Sequence, residues 1–342
     1  MHQFLSGIQQ VGIGVSNAVA AMHTYKHLFG MDVLIFDDQA KANLMSQYTG
    51  GSVYNRRAIL TMNLQGGGGL EIWQYLNRVP QESEPVEVGD LGINSVILKS
   101  INIETSYQRL QSIKDIKVSA IANCKHSGKH FWVTDANKNT FKIIHSHDWF
   151  QKGKHDLGGV VGGVIGVADM EKSMLFYQNV LGIEDILYDF EYTLDGLEYR
   201  KVGLGKKATG KGAFNKLLGN VTIELVQLKN SKPKKIYENR FWGDCGFIHL
   251  CLDVLDMNSL KMHAEKQGHF FTVDSNNTFE MDNASGRFCY IEDPDGTLIE
   301  LVETHKVPIL KKIGWFLDLR KRNQEKPLPN WMIKMLALSK VK

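Results

Sequence analysis

Two rhythms of apolar residues alternate along this chain of 342 residues. Short, nearly continuous or alternating apolar stretches bounded by Gly, Asn and Asp read as strands. Between them, apolar residues recur every three or four positions, the period of an amphipathic helix. The join is plain in QVGIGVSNAVAAMHTYKHLFG at 10–30, where a strand ends at Asn17, a good helix N-cap, and Gly30 stops the helix. The same grammar returns at 162–182 with Asp169 and Gly182, and at 249–268 with Asp256 and Gly268. A weaker copy at 95–113 is capped by Asn102 and lacks the stop glycine.

Each copy is followed by further strand-like stretches, the last of them after a turn: GGGGLEIWQY (66–75), ANKNTFKIIHS (136–146), GNVTIELVQL (219–228) and DPDGTLIELVE (293–303). The repeating unit is therefore βαβββ, present four times. Its aligned first-strand positions are Gln10, Ser95, Gly162 and His249, and its aligned last-strand positions are Glu71, Lys142, Glu224 and Glu300. These two positions lie farther apart in units one and three than in units two and four, so the units group as two long–short pairs. The expected division is 1–150 (modules 8–78 and 91–146), 151–305 (modules 160–229 and 246–304) and a tail, 306–342. In the last strand Leu298, Glu300 and Val302 share one face and Ile299 and Leu301 the other, and both faces read as buried. A carboxylate placed there needs a cation, a strong donor set or a metal.

The fourfold repeat, over residues 8–303, resembles the vicinal oxygen chelate superfamily, which includes glyoxalase I, fosfomycin and bleomycin resistance proteins, and extradiol dioxygenases. The resemblance implies an α+β fold in which four βαβββ modules form two half-open mixed-sheet barrels, the glyoxalase/bleomycin resistance/dihydroxybiphenyl dioxygenase fold. It also implies metal ligands at the start of a module's first strand and the middle of its last. Gln10, Glu71, His249 and Glu300 fill these places in modules one and four, a set of the kind glyoxalase I enzymes use. Ser95, Lys142 and Gly162 cannot ligate, which leaves only Glu224 in the other two modules. Singly, a strand His or Glu is more often a core or edge residue; four acceptable ligands at four aligned places favour a site. Pairing module one with four and two with three unites all four ligands and sets Lys142 opposite Glu224, leaving no buried charge unpaired. Sequential pairing would set Lys142 beside Glu71 and would also be neutral, so the charges lean toward the first arrangement without deciding between the two.

One nitrogen and three oxygen ligands without a thiolate suit one divalent ion, Zn²⁺, Ni²⁺, Co²⁺, Mn²⁺ or Fe²⁺. The leading functional expectation is a metal-dependent lyase or isomerase of glyoxalase type, acting on a small vicinal oxo or hydroxy substrate through an enediolate, with Glu300 or Glu71 as the catalytic base. Two rivals stand beside it. An Fe(II) extradiol-type dioxygenase usually needs two histidines and a carboxylate, and one histidine occupies the eight aligned positions. A non-catalytic antibiotic-binding or resistance protein would use the same cavity without metal. Arg56 and Arg57 in YNRRAILTMNL, Arg287 and Tyr290 in SGRFCYIEDP, and Trp73 are candidates for binding the substrate.

Other motifs are weaker. GIGVSN at 12–17 has Asn17 where a dinucleotide fingerprint needs its third glycine, and GGGG at 66–69 precedes a strand, so it reads as a hairpin turn. His145 and His147 in HSHD share a strand face directed away from the expected cavity. Composition is that of an ordinary soluble protein, 43% hydrophobic and 23% charged. Charge is uneven: residues 305–342 hold ten Lys/Arg against two Asp/Glu, although the whole chain is only +3. The body is mildly acidic and nothing in it suggests nucleic-acid binding. The basic tail, with Ile309, Ile313 and Phe316 at helical spacing and Trp331, Met335 and Leu338 on one side of a second segment, reads as an amphipathic helix that straps its own body or a homodimer interface. Four unpatterned cysteines, no signal-peptide pattern and no apolar run long enough to span a bilayer point to the cytoplasm.

Overall fold

A computed structural model describes residues 4–276, 279–281, 284–310 and 315–341. The first module comprises β1 (Leu5–Gly14), α1 (Ala18–Phe29), β2 (Val33–Lys41), β3 (Asn55–Met62) and β4 (Gly69–Tyr75). The second has β5 (Gly92–Ser100), α2 (Ile103–Gln111), the short β6 (Lys117–Val118) and β7 (Ala122–Cys124), then β8 (Gly128–Thr134) and β9 (Thr140–His145). The third has β10 (Leu157–Gly166), α3 (Met170–Leu175), β11 (Asp185–Leu194), β12 (Leu197–Lys206), a short α4 (Asn215–Leu218) and β13 (Val221–Leu228). The fourth has β14 (Gly246–Val254), α5 (Met257–Lys266), β15 (Phe271–Asp274), β16 (Phe279–Met281), β17 (Ala284–Glu292) and β18 (Leu298–Leu310).

The four strand-to-helix joins are built alike. Asn17, Asn102, Asp169 and Asp256 are extended, and each side chain accepts a hydrogen bond from the backbone N–H three residues on, at 2.9–3.1 Å. That satisfies one of the otherwise orphaned first-turn donors of each helix. α3 continues through a π-helical turn, Phe176–Val180, before Gly182 turns the chain with φ 67°.

Two sheets result. The first runs β15–β17–β18–β14–β1–β4–β3–β2, and the second β11–β12–β13–β10–β5–β9–β8–β6. Modules one and four thus share one sheet, joined by the antiparallel pair β1–β14, while modules two and three share the other through β5–β10. Each sheet draws one module from residues 1–150 and one from beyond, so a cut at 150 separates neither sheet from the other. Strand alternation sends Val11, Ile13, Leu70, Ile72, Ile299 and Leu301 to one face of the first sheet, in an apolar core shared with the second sheet and the helices. Within that core Tyr25 and Phe29 of α1 pack on Phe141 of β9, which meets Phe247 of β14. The opposite, concave faces carry Glu71 and Glu300 in one barrel and Lys142 and Glu224 in the other.

The glycine run at 66–69 turns from β3 into β4, and it also joins the sheets. Gly68 and Val160 exchange two backbone hydrogen bonds of 2.7 and 2.9 Å, and Gly159 donates to Gly66 at 2.7 Å. A Cβ on Gly67 would lie 2.6 Å from the Gly159 carbonyl carbon, so only glycine lets the two segments approach this closely.

The tail departs from the helical expectation. β18 runs on to Leu310 and β19 (Trp315–Asp318) pairs back on it, so Ile309 and Phe316, at helical spacing in the sequence, lie on paired strands. Ile313 and the Ile309 side chain lie outside the described residues. Among the described residues of this region only α6 (Asn330–Met335) is α-helical, and it is less than two turns long. Ile333 and Leu328 are buried against Val33, Met62 and Leu217, whereas Trp331 and Leu338 are exposed. The inward face is therefore not the one that Trp331 and Leu338 share, because in so short a helix position 333 faces the body. No described helix is long and apolar enough to cross a membrane. Ile333→Ala is expected to lower stability by about 3 kcal/mol through cavity formation, and Trp331→Ala by less than about 0.5 kcal/mol. Urea denaturation of both variants measures the contrast, and equal losses would contradict this packing.

Candidate metal centre

Two rows of residues across the first sheet's concave face build the site. In one row Gly12 of β1 is the register partner of Glu71 on β4 and of His249 on β14. In the next, Cys251 on β14 is the register partner of Gln10 on β1 and of Glu300 on β18. Each row thus holds two polar side chains flanking one small residue. Gly12 is small of necessity, since a Cβ there would lie 2.4–2.8 Å from the His249 ring atoms. The imidazole lies over the space that a side chain at position 12 would fill.

The four polar side chains converge. His249 Nε2 is 3.2 Å from Glu71 Oε2 and 3.1 Å from Glu300 Oε2. Gln10 Nε2 lies 3.3 Å from the same oxygen of Glu71 and 3.4 Å from that of Glu300. All four residues are more than nine-tenths buried. Despite these distances, His249 Nε2 makes no correctly directed hydrogen bond, and Gln10 Oε1 has no partner. Buried polar atoms are rarely left so. The ligating atoms of Glu71, His249 and Glu300 all lie within 4.8 Å of one another, and a half-turn of the Gln10 amide brings its lone oxygen to the same side. One imidazole, two carboxylates and one amide fit a first-row divalent cation.

The electrostatics agree with that fit. Burial disfavours a charged His249, but Glu300 and Glu71 outweigh it and hold the imidazole protonated up to a pKa of about 10. Burial works against ionising Glu300 as well, and the His249 cation draws its pKa below the ordinary value. On the other edge of the ring, Nδ1 lies 3.2 Å from the Tyr290 hydroxyl. Burial and the two carboxylates push the Tyr290 pKa well up, so it remains a phenol. We assign Nδ1–H as donor to the phenol oxygen, which leaves Nε2 for the cation. Cys251 stands between Gln10 and Glu300, and burial together with Glu300 raises its pKa far above a thiol's usual range, so it is a neutral thiol here.

Beside these residues opens a cavity of ≈ 400 Å³ walled by Phe36, Met45, Trp73, Trp242, Phe288 and Tyr290. Trp73 and Tyr290 are where the repeat placed them. Arg56 also lines the cavity, its Nη1 bound 2.7 Å from Asp38 Oδ2. Arg57 and Arg287 do not line it. Arg57 faces the other way and pairs with Asp37, and Arg287 is held by Asp274 and Asn258. Alternation along a strand allows one of two adjacent arginines inward, and Arg287 is out of phase with Phe288 and Tyr290. Trp242 escaped the sequence reading because it lies in the 229–245 connection, outside every repeat. Its ring lies nearly parallel to His249 and meets Trp73 edge-on at 4.4 Å between centroids.

Comparison with known proteins follows the same lines. Residues 160–301 match the Glyoxalase/Bleomycin resistance protein/Dioxygenase superfamily model. The fold is similar to that of glyoxalase I from Zea mays, with TM-score 0.54 and 12% identity over 87% of this chain and 92% of that one. It is also similar to a putative dioxygenase from Bacillus subtilis subsp. subtilis str. 168, with TM-score 0.59 and 12% identity over 88% of this chain and 86% of that one. Residues 160–301 thus carry the sequence match to that superfamily, and the fold of the whole chain is similar to that of glyoxalase I and the putative dioxygenase. No curated protein sequence matches it.

The protein has a second barrel, and there the equivalent positions take another solution. Lys142 Nζ lies 2.5 Å from Glu224 Oε1, both side chains being almost wholly buried, with the Tyr188 hydroxyl at 2.6 Å and Lys201 Nζ at 3.4 Å. Burial would raise the Glu224 pKa, but the two ammonium groups pull it down to about 2. An internal cation stands where the other barrel offers a site for an external one. Lys142→Met should therefore cost about 3 kcal/mol, because it leaves Glu224 short of its nearest cation in the interior, while Lys142→Met with Glu224→Leu should recover most of that loss. Urea midpoints of the three proteins decide this.

In the first barrel, Gly12→Ala should push the His249 ring aside and weaken divalent-metal binding at least about tenfold without unfolding the protein, and Tyr290→Phe should weaken it by a similar factor. Titration calorimetry with Zn²⁺ or Ni²⁺ reads both; wild-type affinity in Gly12→Ala would contradict the proposed packing at the ring.

Proposed function

We propose that this protein is a metal-dependent lyase or isomerase of glyoxalase type acting on a small substrate with two adjacent oxygens. One observation carries the reading: a buried amide, imidazole and two carboxylates converge beneath an aromatic-walled cavity, and His249 Nε2, between the two carboxylates, has no correctly directed hydrogen bond. Gln10, Glu71, His249 and Glu300 would hold the ion. A divalent cation bound there supplies Lewis-acid stabilisation of negative charge on two vicinal oxygens.

The protein's own groups account for the rest. Glu300 or Glu71 acts as general base, removing a proton from the carbon beside the carbonyl and returning it to the neighbouring carbon. The carboxylate is suited to this because its proton affinity depends on whether His249 and a cation share its charge. Tyr290 fixes the plane of His249. Phe36, Trp73, Trp242 and Phe288 exclude water from the carbon acid, and Arg56 at the cavity wall offers a cation to an acidic substituent. The single histidine weighs against a dioxygenase site of two histidines and a carboxylate.

Protein purified without chelator should carry about one divalent ion per chain, lost in His249→Ala and Glu300→Ala, by elemental analysis. With that ion bound, dihydroxyacetone or methylglyoxal, alone or with a thiol, should exchange carbon-bound hydrogen for deuterium in D₂O, and Glu300→Gln should slow this at least about hundredfold. Oxygen uptake with a catechol would replace this reading with a dioxygenase, and tight ligand binding by metal-free protein would replace it with a binding module. The reading also sets a pH dependence. Metal needs the neutral imidazole, and His249 in the chelator-stripped protein keeps its proton up to about pH 10. Affinity should rise about tenfold per pH unit below that value, with about one proton released per ion bound at pH 7 to 8. Calorimetry in buffers of different ionisation enthalpy counts the proton; release of none would contradict it.

A further inference from the structure

Trp242 is a wall of two cavities. Behind it, away from the four convergent ligands, lies a second cavity of ≈ 390 Å³. It sits where the two barrels meet, between the 47–50 turn, the start of β5, the 235–242 connection and the turn at 295–298. Its size is within the range of small-molecule sites. Aromatic rings dominate its lining: Tyr48, Tyr237, Phe241 and Trp242.

Two buried N–H groups belonging to its lining side chains have no partner, Trp242 Nε1 and Arg240 Nε. Trp242 is itself 6% exposed, so water satisfies its indole poorly. The guanidinium of Arg240 lies over the Tyr237 ring at 4.7 Å, and its hydrogen bonds to protein go to the backbone carbonyls of Ile236 and Cys245. Among the described residues no carboxylate neutralises it within ion-pair distance. Lys235 adds a second cation at the exposed rim. The one carboxylate in the wall, Asp295, is engaged by the Ala168 N–H at 2.9 Å. A half-buried cation without a counter-ion, with its own Nε and the neighbouring Trp242 Nε1 left without acceptors, is costly unless an acceptor-rich anion joins it.

We propose that this cavity is a second ligand site, distinct from the metal centre, that takes a small planar aromatic carboxylate. The ring would stack among Tyr48, Tyr237, Phe241 and Trp242, and the carboxylate would accept from Arg240 Nε and Trp242 Nε1. The chemistry goes beyond the glyoxalase-type reading and does not depend on it.

Titration calorimetry of the full chain with 1-naphthoate tests the assignment, with 1-naphthamide and inorganic phosphate as the neutral and ring-free probes. Naphthoate should bind below about 1 mM and at least about tenfold more tightly than either comparison probe. Arg240→Met, which keeps an unbranched stem over Tyr237, should weaken it roughly tenfold or more, and Trp242→Phe severalfold. Glu300→Gln should leave naphthoate affinity within about twofold, and a larger loss would place the probe in the metal cavity and overturn the assignment. No binding, equal binding of the amide or of phosphate, or unchanged affinity in Arg240→Met would also overturn it. Should Arg240→Met not fold, Lys235→Glu at the rim decides: affinity at least about threefold weaker supports the site, and unchanged affinity overturns it.

Discussion

The antiparallel pairing of β1 with β14 is the contact on which the site depends, because it brings together strands separated by two-thirds of the chain. It sets Gly12 opposite His249 and Gln10 opposite Cys251, and parallel pairing of β4 and β18 outside them then adds Glu71 and Glu300. A slip of one residue would turn every one of these side chains into the apolar core. The core itself opposes such a slip, since Val11, Ile13, Ile72 and Leu301 would be forced into the cavity in exchange. Register is therefore held by the same alternation that builds the site. The entropic cost of closing so long a loop grows only logarithmically with its length, so the burial along β1 and β14 can offset it.

The two barrels answer one electrostatic problem in two ways. Each places carboxylate on a buried concave strand, where an isolated charge is strongly disfavoured. In the second barrel Lys142, Lys201 and Tyr188 neutralise and solvate Glu224 internally, and the arrangement is complete without any further partner. In the first, two carboxylates meet one imidazole and one amide, which leaves the ensemble electron-rich even with His249 protonated. Lysine at position 142 fills the place that Glu71 holds in its own barrel. The exchange of a carboxylate for an ammonium group at an equivalent strand position, together with Ser95 and Gly162 where the first barrel has Gln10 and His249, thus separates a self-sufficient interior pair from a receptive set.

Much of this was legible in the sequence because it rests on local rules that repeat. Asn17, Asn102, Asp169 and Asp256 announce helices wherever they follow a strand, and Glu71 and Glu300 stand out as charges in apolar alternation. The fourfold recurrence turned these weak signals into an alignment, and the need to pair Lys142 with Glu224 favoured the module pairing that the sheets adopt. What stayed hidden follows from the same logic. Arg56 and Arg57 differ only in parity, and no property of either residue says which one faces inward. Trp242 belongs to a connection that has no counterpart in the other modules. The tail's apolar residues satisfy a helical spacing, yet β18 is long enough to extend past the sheet and capture β19 by backbone pairing, which overrides the local pattern.

Trp242 shows why such unrepeated segments matter. Repeated modules supply equivalent strand positions to both barrels, but the wall over the first barrel comes from a segment that no module repeats. The connection between modules three and four breaks that equivalence. It carries Asp244, which is fully buried, accepts backbone N–H groups from Gln81 and Phe241, and pairs with Arg78 from the connection after β4. This ties the two non-repeated connections to each other and fixes Trp242 against Trp73 and alongside His249. The aromatic roof of the first barrel is therefore held by a carboxylate–guanidinium contact outside the repeats. The asymmetry between a receptive barrel and a closed one depends as much on that anchor as on the residues at the aligned positions.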